Sequence, residues 1–144
     1  MFDKIFNVAA EAMSANRLRV NTIASNIANA QTTRTAEGGP YKRRDVVFAA
    51  KDVPGLKFDT ALDEASLKTV RVANVVEDTK PPRRVFDPSN PDAKEDGYVE
   101  MPNVNPVSEM VNLISASQAY RAASEIANIT KTMADALKRL AARI

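Results

Sequence analysis

Three groups of side chains in this sequence have the types and spacing to do chemistry. Asp87, Asn90, Asp92 and Asp96 bring four oxygen-bearing side chains into one short stretch, loosely as a calcium loop does. An EF-hand takes ligands at alternate residues around a central glycine, whereas here Pro88 and Pro91 break the series and that glycine is missing. Calcium is therefore not expected. Lys42-Arg43-Arg44 and Arg83-Arg84 are short basic clusters with Tyr41 and Phe86 beside them, a pairing of cations and aromatic rings that single-stranded nucleic acids use. Clusters of two or three charges are usually solvated surface. A small basic nucleic-acid-binding module is thus kept as the alternative function, one that salt-dependent binding would reveal. The third group is Asn26 and Asn29, three residues apart, with Thr22 and Ser25 nearby and Ile23 and Ile27 between them. Amides so placed can bond backbone carbonyls and fix the register of neighbouring helices. The plainer alternative is that both are solvated residues at a helix end.

Catalysis finds little support. The 144 residues include no cysteine and no histidine, which removes thiolate chemistry, disulfides and the commonest general base and metal ligand. No glycine-rich phosphate loop, nucleophile motif or paired-carboxylate constellation stands out, and no cofactor is expected. Twenty basic against 18 acidic residues give a net charge of +2, too slight an excess to mark a nucleic-acid binder. No stretch approaches the roughly 20 apolar residues of a membrane-spanning helix, so membrane insertion is not expected. Asp3, Asn7 and Glu11 interrupt any apolar leader, so export, if it occurs, is expected without a cleaved signal peptide.

The elements that must position these groups fall into three segments, residues 1–35, 36–104 and 105–144. In the first, Phe2, Phe6, Ala9, Met13, Asn16, Val20, Ile23, Ile27 and Ala30 step by four and three in strict alternation, the spacing of a coiled-coil seam. Asn16 is the one polar interruption, as register-setting asparagines are, and Asp3 can cap the start. The last segment opens on Asn105 as N-cap, Pro106 at the first helical position and Glu109 in the first turn, with Lys138, Arg139 and Arg143 near the far end. Ile126, Thr130, Met133, Leu137, Leu140 and Ile144 step by four and three. Met110, Ile114, Ser117 and Tyr120 or Arg121 form an upstream stretch, so the seam shifts within the helix. The expected assembly positions are Phe6, Ala9, Met13, Val20, Ile23, Asn26, Ile27 and Asn29 in the first helix and Met110, Ile114, Tyr120, Ile126, Met133, Leu137 and Leu140 in the last.

The middle differs in kind. All eight prolines and all four glycines lie between Gly38 and Pro106. Tyr41 to Phe48 and Leu67 to Val76 read as strands, and Lys80 to Pro106 reads as an extended arm dominated by turn formers. The expected fold is mainly α with a small β insert, the two terminal helices paired as an antiparallel coiled-coil-like hairpin. Such a hairpin has a thin core against a backbone entropy cost of ~1–2 kcal/mol per ordered residue. Yet seven alanines between Ala9 and Ala30, and nine between Ala116 and Ala142, permit close helix approach on further faces. Spare helix faces imply further partners, and other copies of the same chain are the first candidates.

Ile23-Ala24-Ser25-Asn26-Ile27-Ala28-Asn29-Ala30-Gln31-Thr32-Thr33-Arg34-Thr35, closing on Gly38-Gly39-Pro40-Tyr41-Lys42-Arg43, resembles the signature of flagellar rod and hook proteins. Within that family it is most similar to proximal-rod members. Asp87 to Asp92, Gly97-Tyr98-Val99 and Met101 to Val104 are similar to their central arm, and Asn105 to Tyr120 to the start of their C-terminal helix. Ala123 departs from the family pattern, where asparagine is common, as does the ending Leu140 to Ile144. The resemblance implies a non-enzymatic subunit exported by the flagellar type III apparatus. It would assemble with other copies and with neighbouring proximal-rod, distal-rod and export-gate junction proteins into the rod that spans the periplasm. There it would transmit torque around an open export channel.

Overall fold

The computed structural model describes residues 2–53 and 68–142. The expectations placed on Leu67, Arg143 and Ile144 lie outside the described residues. In chain order the elements are α1 (Phe2–Ala28), β1 (Arg44–Asp52), β2 (Lys68–Glu77), β3 (Arg83–Phe86), β4 (Tyr98–Met101) and α2 (Pro106–Ala141). The fold is mainly helical, with two helices packed together and two small sheets between them in sequence.

Both helices begin and end for local reasons. The Asn105 side chain accepts from the amides of Val107 (3.0 Å) and Ser108 (3.3 Å), which makes it a true N-cap ahead of Pro106. Lys138 and Arg139 occupy the last turn, where the helix dipole favours cations. Asp3, expected as a cap, instead lies inside the first turn of α1, because the helix already starts at Phe2. The chain leaves α1 through a turn in which the amides of Asn29 and Ala30 still bond the carbonyls of Ser25 and Ile27. It then reverses at Gly38 and Gly39, both at positive φ, where the Thr35 amide donates to the Gly39 carbonyl at 2.9 Å.

Strands β1 and β2 form one two-stranded sheet; β1 starts three residues after the expected Tyr41 and ends four after Phe48, and β2 ends one residue after the expected Val76. A second sheet lies within Lys80 to Pro106, the stretch read as an extended arm dominated by turn formers. Strands β3 and β4 pair antiparallel with Arg83 opposite Met101 and Phe86 opposite Tyr98. Each has only four residues, and Arg83-Arg84 hides the strand signal; what stabilises the hairpin is cross-strand contact. Phe86 and Tyr98 meet edge to face at 5.3 Å, and the Arg84 guanidinium lies 4.7 Å from the Tyr98 ring centre.

Gly97, at φ +76, sits against the Phe86 ring, and a Cβ there would come within 2.8 Å of Phe86 Cε2. Gly97→Ala therefore combines a left-handed backbone with a clash, and is expected to cost about 1–3 kcal/mol. Urea denaturation of the variant would check this, and an unchanged midpoint would mean that the hairpin adjusts freely.

The chain forms two compact units. One comprises Met1–Leu18, Val47–Asn74 and Ala116–Ile144; the other comprises Arg19–Val46 and Val75–Ser115. Each unit therefore joins opposite ends of α1 and α2, as an antiparallel pair requires. Among the described residues of the first unit the buried side chains are small: Ala9, Ala15, Thr69, Ala116, Ala123 and Thr130. In the second the buried side chains include the apolar Ile23, Val46 and Val99 and the polar Asn26 and Glu109.

Candidate assembly interface and the polar clasp behind it

The clasp lies wholly in the second unit. Asn26, in the last two turns of α1, is fully buried, and its amide has all four hydrogen-bonding positions filled. Its Nδ2 donates to the Arg44 carbonyl (2.7 Å) and to Glu109 Oε2 (2.9 Å). Its Oδ1 accepts from the Arg44 amide (2.9 Å) and from the Tyr41 hydroxyl (2.9 Å). Glu109, 2 % exposed in the first turn of α2, takes a second bond from Arg43 Nε at 2.8 Å. Its position at a helix N-terminus favours the negative charge. Arg43 also reaches Asp45 Oδ2 at 3.2 Å. Burial opposes the Arg43 charge, but hydrogen bonding and Coulomb attraction from Glu109, with Asp45 adding, outweigh it and raise the guanidinium pKa above its ordinary value.

Three stretches singled out in the sequence thus converge: the asparagine-rich end of α1, the Gly-Gly-Pro-Tyr-Lys-Arg turn and the start of α2. Buried polar groups that are fully paired permit one register and penalise others, since a slip by one residue would strand each of them. Asn26 therefore sets register within the chain. Asn16, expected in that role, bonds the Ala12 carbonyl of its own helix at 2.9 Å. Asn29 likewise serves its own helix end, donating to the Ser25 carbonyl (2.9 Å) and accepting from the Thr32 hydroxyl (3.1 Å). Sequence reasoning missed the partners Tyr41, Arg43 and Glu109. The signal that could have found Glu109 is a carboxylate at a position where α2 faces inward.

The residues that suggested metal or nucleic-acid chemistry have intrachain roles. Asp87, Asn90 and Asp96 accept from the amides of Ser89 (3.2 Å), Asp92 (3.0 Å) and Tyr98 (3.1 Å), which shapes the loop between β3 and β4. Asp92 accepts from the Thr33 hydroxyl at 2.7 Å and faces Arg34. Lys42 and Arg44 both face Glu77, Arg43 faces Glu109, and Arg84 pairs with Asp96.

The expected assembly positions divide by burial. Ala9, Ile23 and Asn26 are covered by the chain itself; Met13, Val20, Ile27, Asn29 and Tyr120 are half-buried. Phe6, Met110, Ile114, Ile126, Met133, Leu137 and Leu140 are about half exposed or more. On α2 the covered stripe is Glu109, Ala116, Ala123 and Thr130, spaced by sevens. Small and polar residues face inward while large apolar ones face out, the reverse of a self-sufficient amphipathic helix. Val107, Val111 and Ile129 extend the outward apolar surface along α2.

Known proteins carry the same segments. Residues 6–34 match the family model for flagella basal body rod protein, and residues 95–140 match that for the flagellar basal body rod FlgEFG protein C-terminal region. The chain is similar to the flagellar basal-body rod protein FlgC of Borreliella burgdorferi, 44% identical over 135 residues, covering 88% of this chain and 89% of that one. It is 43% identical to the Yersinia enterocolitica protein of the same name over 129 residues (90% of each chain). The Bacillus subtilis counterpart is 37% identical over 137 residues, covering 88% of this chain and 89% of that one.

Proposed function

The chain belongs to the FlgC family of flagellar basal-body rod proteins, and on that premise we propose that it builds the proximal rod by packing its terminal helices against neighbouring copies. The protein is a structural subunit and not an enzyme. The observation that carries the assembly mode is the inverted dressing of α2. Its inward stripe is alanine, threonine and glutamate, while Met110, Ile114, Ile126, Met133, Leu137 and Leu140 face solvent. Water-exposed side chains of this size, in runs along one helix, call for a covering surface. Buried Ala9, Ile23 and Asn26 keep the hairpin in shape; half-buried Met13, Val20, Ile27, Asn29 and Tyr120 border the face it presents.

In this reading residues 1–35 and 105–144 form the inner layer of a tube, and residues 36–104 lie outside it. The tube transmits torque and encloses the channel through which later subunits pass. The subunit reaches the periplasm through the flagellar type III apparatus without signal cleavage, and meets proximal-rod, distal-rod and export-gate junction proteins there. The nucleic-acid alternative loses its footing because four of the five clustered cations face carboxylates of the same chain.

An epitope-tagged chain is expected to be recovered in purified basal bodies, and deleting its gene to halt flagellar growth before the hook. Basal bodies free of the tag, or unimpaired swimming in the deletion strain, would remove the proposal.

A further inference from the structure

A groove of about 350 Å³ opens on the first unit between α1 and α2. Phe6, Ala10, Met13, Ser14 and Arg17 follow one another at helical spacing along α1, and Tyr120 of α2 completes the wall. Ala10 and Ser14 are exposed and small, so the floor is a hole between larger side chains, the kind that accepts a knob from another helix. The same unit carries a matching knob. Ile126, Ile129 and Met133, each about half exposed, share one face of α2 and are not seated in any hole of their own chain.

Charge identifies the occupant further. Arg17 lies on the groove and Glu125 stands four residues before Ile129; both are exposed and neither has an ion-pair partner among the described residues. We propose that the groove between α1 and Tyr120 receives the Ile126–Ile129–Met133 face of a second copy, with Glu125 of that copy against Arg17. This rests on the rod reading and names the surfaces that meet. Ile129 over Ala10 and Ser14 brings Glu125 to Arg17 only if the incoming helix runs antiparallel to α1. That is the sense in which α2 runs against α1 within one chain, so the contact suits copies stacked with parallel axes. Groove and knob are different surfaces, so each copy offers both and the contact repeats head to tail instead of closing at two.

The chain has no cysteine, so introduced thiols report contacts without background. Ser14→Cys copies mixed with Ile129→Cys copies at assembling concentration, then oxidised, are expected to yield disulfide-linked dimers several-fold above either variant alone. In cells, Arg17→Glu and Glu125→Arg should each reduce swimming, and together restore it. Crosslinks confined to each variant with itself, or a charge exchange that restores nothing, would overturn the pairing. Recovery of the chain in basal bodies without the mixed crosslink would remove this pairing and leave the rod role standing.

Discussion

Asn26→Leu is expected to destabilise the free subunit by roughly 3–5 kcal/mol, since several buried partners lose their bonds at once and each orphaned group costs about 1–3 kcal/mol. Leucine has a similar volume, so the loss is one of polarity and not of packing. It would leave the Arg44 amide and carbonyl, the Tyr41 hydroxyl and Glu109 Oε2 without the amide that now joins them. Asn26→Asp should be at least as damaging. It keeps an acceptor for Tyr41 and Arg44, but places a second carboxylate beside Glu109 and removes both donated bonds. Asn29→Ala provides the control: its amide bonds only its own helix end, at Ser25 and Thr32, and a cost of about 1 kcal/mol or less is expected, as for other helix-end side-chain bonds. Urea denaturation followed by circular dichroism would measure all three. An Asn26→Leu variant within about 1 kcal/mol of the parent would show that the clasp is dispensable, given the usual worth of a single hydrogen bond.

A charge on the outer face of α2 should have the opposite profile, harmless to the subunit and severe in the assembly. Leu137 and Leu140 are 54% and 64% exposed, so Leu137→Asp with Leu140→Asp should change the stability of the free chain by no more than about 0.5 kcal/mol each. In a rod the same carboxylates would be buried unpaired, at several kcal/mol for every subunit contact. Cells carrying the double variant are expected to make a folded protein and yet build no rod. Ile23→Asp would be a poor probe of the same idea, because Ile23 is 4% exposed within its own chain and its loss would unfold the subunit first. Normal swimming of the Leu137→Asp/Leu140→Asp strain would remove this part of α2 from the interface.

Much of the architecture is legible without coordinates because its causes are local. The four-and-three spacing from Phe2 to Ala30, the Asn105-Pro106 start of α2 and the glycine turn at Gly38-Gly39 each depend on residues a few positions apart. The helices, their termini and the β character of the middle follow from them. The hairpin of β3 and β4 is not legible in this way. Its four-residue strands carry adjacent arginines, and they hold together through Phe86 against Tyr98, partners that only the folded loop brings near.

Which side of each helix faces inward also escapes the sequence, for a physical reason. Reading a seam from the largest apolar residues assumes that a helix covers them within its own chain. In α2 that assumption selects Ile126, Thr130, Met133, Leu137 and Leu140, of which the chain covers only Thr130, together with Glu109, Ala116 and Ala123, and leaves the large residues to water. In α1 the same spacing rule selects two covered positions, Ala9 and Ile23, beside half-buried ones and the exposed Phe6. The sequence by itself therefore determined the two helices, the capped start of α2, the family resemblance and the presence of more apolar surface than one hairpin can bury. Only the tertiary structure decided that Asn26, Glu109, Arg43 and Tyr41 meet in one buried cluster, since they come from segments up to 83 residues apart. Hydrogen bonds over such separations depend on helix register, and register is a property of the packed chain that no local spacing encodes.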